Sequence, residues 1–449
     1  MTGPELAVAL TDARDAAAVG GKGASLGELT RAGVAVPPGF VVTVDAFALA
    51  MAGIDPSGAL RAELSALDAA DLTGIAAAAA RLRALVTGAP LPDQVYSAIA
   101  VGYAKLGTGG SATEILIDTD VAVRSSATVE DSAEASFAGL QDTYLGVSGV
   151  PSVHDHVRRC WASLYNDESV AYRRRLRLPE AGVSMAVVVQ RMVTPRAAGV
   201  MFTRSPVTGD RSVVAIEATW GLGSALVSGD VTPDSFIISK VTGEITTRRV
   251  GPKIKIHRYL SNGRGVTVSD TPISLRDAPS LTDDEIRALA AIGRRVEAHH
   301  GAPLDIEWAL LDGDRHRDGA DAASAADRIV LLQSRPETVW AAHEQAPAGA
   351  PRPRPADHVL ALFGKPLLWS GRGRRGPDQR RCGGHPGPAR LAPVRRPRPA
   401  HRPLPPHAPP GPRRLDRGIG GTGPAHRRDP RGRPAWRGWG RSGWWCAAC

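Results

Sequence analysis

LDIEWALL, residues 304–311, and VLLQSRPE, residues 330–337, decide how this chain is read. Both have the length and the apolar, β-branched or aromatic content of strands. In the first, Leu304, Ile306, Trp308 and Leu310 alternate onto one face, Asp305 and Glu307 onto the other. In the second, strict alternation puts Ile329, Leu331, Gln333 and Arg335 together. Two half-buried strands with solvated polar sides are the plain interpretation. Against it, the acid pair and the Gln/Arg pair fall at the ends of strands joined by a long polar loop, 312–327. Carboxylate and amide oxygens are hard ligands suited to Mg2+, which takes one or two protein oxygens and completes its shell with water and phosphates. An arginine beside them can grip a phosphoryl oxygen through two parallel hydrogen bonds. Glu307 and Gln333 are therefore candidate metal ligands, with Asp305 nearby, and Arg335 a candidate phosphate clamp.

Working outward, GGKGASLGEL at 20–29 places a glycine turn and Lys22 at the start of a short helix. Free backbone N–H groups there attract anions, although the spacing is not that of a Walker A loop. VAVRSSATVEDS at 121–132 reads as a strand delivering Arg124 into a small-residue loop with Glu130 and Asp131, suited to closing over phosphates. EATWGLGSALVSGDVTPD at 217–234 fits a β-bend or a nucleotide-facing loop. Each of these signals alone is as readily structural.

The chain has 449 residues and a net charge of +10, but the charge is lopsided. Residues 371–449 hold 19 Arg, 3 Asp and no Lys or Glu, a net of +16, which leaves the first 370 residues at −6. The basic balance therefore says nothing about the globular part, and nucleic-acid binding is not expected of it. The tail has 15 Pro, 15 Gly and five Leu, Ile or Val, too little apolar surface to offset backbone ordering, so it is expected to be disordered. Three of the four cysteines lie in it, with no spacing of a disulfide framework or a zinc site. No apolar run suits a membrane span and no signal pattern opens the chain, so the expected compartment is the cytoplasm.

Residues 1–182 read as a mixed α/β lobe, with an Ala-rich helical stretch at 58–105 and a helix over 151–175 that carries Val153, Val157, Trp161 and Leu164 on one face. The texture changes near 183, and 183–344 reads as a second lobe of antiparallel strands with one helix over about 282–300. Thr282 and Glu285 fit a capping box there, and Gly301 a C-cap. A linker, 345–370, and the tail, 371–449, follow.

GGKGASLGEL, VRSSATVEDS…SFAGLQDTYL, VQRMV, GVMFTRSP, EATWGLGSALVSG, DIEWAL and LLQSRPET occur in this order over residues 15–340. Together they resemble the ATP-binding domain shared by phosphoenolpyruvate synthase (pyruvate, water dikinase), pyruvate phosphate dikinase and rifampicin phosphotransferase. The resemblance implies an α+β fold, a two-lobed ATP-grasp with antiparallel sheets, using ATP and Mg2+. By motif, Lys22 and Arg124 would contact the phosphates. Gln190 to Val193, with Met192 between them, would be the hinge against adenine, and Glu217 would face the ribose. Glu307 and Gln333 would hold Mg2+, and Arg335 would grip the transferring phosphates. The implied activity is that of a kinase with paired acceptors: ATP is split into AMP and two phosphoryl groups, and the β-phosphoryl passes to a histidine on a separate swivelling domain.

The chain departs from that family after the nucleotide-binding part. The family's Thr-Ser-His-Ala carrier string is absent, and tail histidines such as His385 sit in Pro/Gly-rich sequence unsuited to a carrier. A phosphohistidine carrier on another chain would be needed, and the small-molecule acceptor stays open. A shifted reading frame near codon 370 is the favoured account of the tail, against an Arg/Gly-rich RNA-binding segment. The alternatives to a dikinase-type enzyme are a truncated, non-catalytic nucleotide-binding product and a rifampicin phosphotransferase-like antibiotic kinase fragment.

Overall fold

Period-two apolar runs need partners on both backbone edges, and here they pair into two antiparallel sheets, each covered by helices. The computed structural model describes residues 4–338 and Trp340, apart from 69, 108–118, 129–130, 133–134, 137–141, 176–179, 261–264 and 313–323. All of these belong to one unit of the chain, residues 1–367 with 442–449. The tail lies outside the described residues, as do Glu130 and most of the loop expected over the phosphates.

The first sheet comprises β1 (Ala7–Ala9), β2 (Gly39–Val42), β3 (Val121–Ala127), β4 (Thr143–Val147) and β5 (Met185–Arg191), in the order β1-β2-β5-β3-β4 with every pair antiparallel. Helix α1 (Ala16–Arg31) covers one face, where Val19 and Leu26 meet Val41 and Val188. The other face carries the helices α2 (Val44–Ile54), α3 (Ala59–Ala66), α4 (Leu72–Gly88), α5 (Asp93–Gly107), α6 (Val150–Ser163) and α7 (Asp167–Arg175). Phe40, Phe47, Val123, Val157, Trp161 and Val187 make the core beneath them. The helical stretch at 58–105 breaks at 67–71 and again at Pro90 and Pro92, and the helix expected over 151–175 breaks at 164–166; the four residues expected on its face are all buried.

The second sheet comprises β6 (Pro195–Phe202), β7 (Val213–Trp220), β8 (Asp234–Ser239), β9 (Ile245–Arg249), β12 (Leu304–Leu311) and β13 (Ile329–Pro336), in the order β9-β8-β7-β6-β12-β13. Between them in sequence, β10 (Lys255–Tyr259) and β11 (Val266–Asp270) form a separate hairpin. The change of texture near 183 precedes the change of sheet: β5 is a central strand of the first sheet, and the second begins at Pro195.

One face of the second sheet packs on helix α10 (Asp283–His300), where Ile286, Leu289 and Val296 meet Met201, Ile216, Trp308 and Leu331. The helix starts and stops as its sequence requires. Glu285 N–H donates to Thr282 Oγ1, the Glu285 carboxylate accepts from Thr282 N–H at 2.9 Å, and Gly301 ends the helix at φ 71°. Short helices α8 (Ser224–Val227) and α9 (Ile273–Arg276) complete the lobe. Among the described residues no helix is long and apolar enough to cross a membrane.

β13 is the outer strand of its sheet, so its free edge needs partners. The first lobe supplies them. Leu331 N–H donates to Ala35 O at 2.8 Å, and Ser25 Oγ of α1 donates to Ser334 O at 2.5 Å. Leu29 and Val34 join the core of the second lobe. The two lobes therefore meet along the strand that carries Gln333 and Arg335.

Candidate nucleotide site

A bulge aims the polar residues of β13. Glu307 pairs with Gln333 but Trp308 pairs with Leu331, so Leu332 has no opposite number on β12. Ile329 and Leu331 point into the core beside α10, while Gln333 and Arg335 come opposite Glu307 and Asp305 on the other face. This corrects the strict alternation expected from sequence, which grouped Gln333 and Arg335 with Ile329 and Leu331. One inserted residue reverses the face of everything beyond it. Across the sheet the same row continues from Glu307 to Val200 and then Glu217, which puts the two glutamates on one face.

The carbonyl freed by the bulge is taken by Arg124. This residue stands on β3, a strand buried at every position, and is itself 1% exposed. Its Nη1 donates to Leu332 O at 2.6 Å and to Gln190 Oε1 at 3.3 Å; its Nη2 donates to Gln333 Oε1 at 2.7 Å and lies 3.5 Å from Glu307 Oε2. A guanidinium with its donors in a fixed fork thus spans the two lobes. Arg335 is held beside it, its Nε and Nη2 donating to Asp305 Oδ2 at 2.8 and 2.6 Å.

Lys22 enters from α1, which Gly20 interrupts at φ 69°, ψ 170°. A side chain at Gly20 is impossible, since a Cβ would stand 2.0 Å from Ser126 O. Ser126 Oγ, on β3 beside Arg124, accepts from Gly23 N–H at 3.1 Å and donates to Val19 O at 2.8 Å, pinning both sides of the break. Lys22 is buried just after the break, close enough for its charge to act on Glu307.

Burial pushes the Glu307 carboxyl above the usual carboxylate value; Arg124 opposes that push, Asp305 adds to it, and Arg335 and Lys22 oppose it more weakly. Glu217 is raised by burial alone. Glu307 Oε2 is buried and has no hydrogen-bond partner. An orphaned carboxylate oxygen opposite an amide oxygen is a donor set that fits a hard cation with an open shell, and Mg2+ needs no more from a protein. Among the described residues no three His, Cys, Asp or Glu side chains converge as a closed metal cage would require.

The hinge divides its work. Gln190 is buried and faces inward, its Nε2 donating to Pro37 O at 3.1 Å while its Oε1 receives Arg124. Met192 N–H donates to Asp120 O at 2.9 Å as the chain crosses between sheets. The side chains of Met192 and Val193 pack with Ala198, Leu222, Ala309, Val330 and Leu332, and with Tyr259, Val266 and Leu311, in an apolar cluster adjoining the polar row. The structure therefore groups Lys22, Arg124, Gln190, Glu307 and Gln333, sets Arg335 next to them on Asp305, and places Met192 and Val193 on an apolar wall. Sequence reasoning missed Ser25, Ser126 and Tyr259. Ser126 had a signal, a serine inside a run otherwise suited to a buried strand.

The pyruvate phosphate dikinase AMP/ATP-binding domain family matches residues 16–354 of the chain. A rifampicin phosphotransferase from a Streptomyces species is 46% identical over 330 residues, 73% of this chain and 35% of that protein. A probable phosphoenolpyruvate synthase from Methanothermobacter thermautotrophicus is 41% identical over 324 residues, 72% of this chain and 44% of its own length. The phosphoenolpyruvate synthase of Aeropyrum pernix is 38% identical over 360 residues, covering 74% and 42%. The chain thus spans less than half the length of each of these relatives. With a match running from residue 16 to residue 354, the protein belongs to the pyruvate phosphate dikinase AMP/ATP-binding domain family.

Proposed function

We propose that the chain binds Mg·ATP between its two lobes and acts as the nucleotide-splitting part of a dikinase-type phosphotransferase. The observation that carries this reading is the junction of the two sheets at β13, where Lys22, Arg124, Glu307 and Gln333 meet beside an apolar wall. The wall suits a purine and the charged row suits a polyphosphate. Mg2+, when bound, would be held by Glu307 and Gln333 and would neutralise phosphate charge.

The chain's own residues would do the rest by position. Lys22 and Arg335 offer cationic donors from opposite lobes, so a phosphate chain lying between them is gripped only when both lobes are in place. Arg124, tied to Leu332, Gln333 and Gln190, orients the metal-ligand amide and keeps the bulge in register. Glu217, on the row of Glu307, is assigned to the ribose. AMP leaves as product; the β-phosphoryl passes to a histidine of a carrier domain on another chain and from there to a small-molecule acceptor, and the γ-phosphoryl passes to a second acceptor, water in the simplest case, which releases it as inorganic phosphate. The similarity to proteins named phosphoenolpyruvate synthases supports this reading.

A thermal-shift titration of the full chain with Mg·ATP tests it. Saturating ligand should raise the melting temperature of the wild type, since a hundredfold excess over Kd adds about 2.7 kcal/mol of stability. Arg335→Ala should blunt the shift. An absent shift, or one unchanged by that substitution, overturns the proposal.

A further inference from the structure

The hairpin β10–β11 belongs to neither large sheet, and a two-stranded unit of this kind is marginal without support. Midway along β10 it meets the glycine turn of the second lobe, where Leu222 N–H donates to His257 O at 2.9 Å and Gly221 bridges to His257. At the Tyr259 end it reaches the first lobe. The Tyr259 hydroxyl donates to Asp120 Oδ2, and Gly265 approaches Gly146 so closely that a Cβ on Gly146 would stand 2.9 Å from Gly265 Cα and 3.2 Å from the Tyr259 ring. Both glycines have positive φ, 70° and 72°, which disfavours a side chain at each, and at Gly146 the close approach disfavours one a second time.

Asp120 is no ordinary surface acid. It directly precedes β3, and its carbonyl receives Met192 N–H at the crossing between the lobes. One residue therefore joins the first sheet, the crossing segment and the hairpin. Tyr259 and Val266 pack in the apolar cluster with Met192, Val193 and Leu222, so the inner side of the hairpin is one wall of the slot. Along the same face, Val268 is about half exposed, so the packing is confined to the end that carries Tyr259 and Val266. Burial, then the Asp120 carboxylate, push the Tyr259 hydroxyl up, so it keeps its proton and its donor role at neutral pH.

Resting on the nucleotide reading above, we infer that the hairpin is a strap over the base end of the slot, clasped by Tyr259 on Asp120. Tyr259 is then a positioning residue for the base, and the polyphosphate end is indifferent to it. The clasp lies at the apolar, hinge end of the cleft, and the charged row lies at the other end of the same wall. An aromatic ring with a polar tip gives contact area to a flat base while its hydroxyl fixes the angle of the wall.

The test compares Mg·ATP with Mg·tripolyphosphate, which shares the charged end and lacks the base, by calorimetry on the full chain. Tyr259→Phe keeps the ring and removes the clasp, and Asp120→Ala removes it from the other side. Each should weaken ATP about tenfold, the gain typical of a hydrogen bond to a charged group, and leave tripolyphosphate within about twofold. The double variant should be no worse than either single one, and Asp120→Asn, which keeps an acceptor oxygen, should restore most of the affinity. Unchanged ATP affinity in Tyr259→Phe overturns the strap while leaving the nucleotide reading intact. So does a parallel loss of tripolyphosphate affinity, which would make the hairpin a general structural support. A wild type that binds neither ligand sinks both ideas together.

Discussion

Two buried pairs of opposite charge stand on opposite faces of the second sheet, and they are built differently. On the α10 side, Asp234 and Lys253 are both fully buried. Asp234 Oδ1 accepts from Lys253 Nζ at 2.5 Å and Gly251 N–H at 3.0 Å, while Oδ2 accepts from the Ser280 N–H and Oγ, each at 2.7 Å. Lys253 also donates to Gly251 O at 2.9 Å. On the cleft side, Glu307 has one oxygen with no hydrogen bond and faces Arg124 at 3.5 Å, outside hydrogen-bond reach. A saturated pair closes a structure, whereas an unsaturated one leaves capacity for something else. The sheet thus saturates its buried charge on one face and leaves a carboxylate unsaturated on the other.

The sharpest way to break that comparison is to remove an acid from each face. Asp234→Ala strands a buried ammonium and should cost about 3–5 kcal/mol in urea denaturation. Glu307→Gln, by contrast, removes a charge that burial already disfavours and should change stability by less than about 1 kcal/mol. Equal losses would erase the distinction.

Activity should reverse the order. With a carrier domain supplied in trans, Glu307→Gln and Arg335→Ala should each lower the rate of AMP formation about 10²–10³-fold, or about 2.7–4 kcal/mol. Asp234→Asn, assayed where it is folded, should leave the rate unchanged. A fall in rate for that variant would mean the two faces are coupled.

Acidity offers a third handle. A carboxyl whose folded value is raised contributes stability that is full below its ordinary value and is lost as pH climbs through the raised one. For the ligand-free chain, Glu307 therefore favours the acid side of that window. A cation needs the ionised form, so Mg·ATP affinity should weaken on acidification through the same window, at most about tenfold per pH unit, with proton release measurable by calorimetry in two buffers. The effect should vanish in Glu307→Gln. The smallest expected change tests the seam between lobes: Ser25→Ala removes the hydrogen bond to Ser334 O and should cost about 1 kcal/mol.

Much of the molecule was legible in its residues. The caps of α10, the alternation of Leu304 to Leu310 against Asp305 and Glu307, and the lysine after a glycine turn are all local matters. They depend on backbone groups and side chains within a turn or two of one another. The motif order carried the family as well. The bulge at Leu332 was not legible, because a strand's own sequence shows a period of two and cannot say that its partner skips a residue. The inward turn of Gln190 was hidden for a similar reason: its neighbours Pro37 and Arg124 are distant in sequence.

Which residues could bear charge or ligate a cation was a matter of residue type alone, since a carboxylate, an amide, a lysine and arginines placed in strands and a glycine turn are chemical facts before any folding. Where they point came from packing. Arg124 reaches from one lobe to the carbonyl and amide of the other, and the edge of β13 finds its hydrogen bonds on α1 and the segment after it. The physical reason is that buried polar groups must be satisfied by whatever the fold brings near, and across the more than 200 residues that separate Arg124 from Leu332, proximity is a property of packing alone.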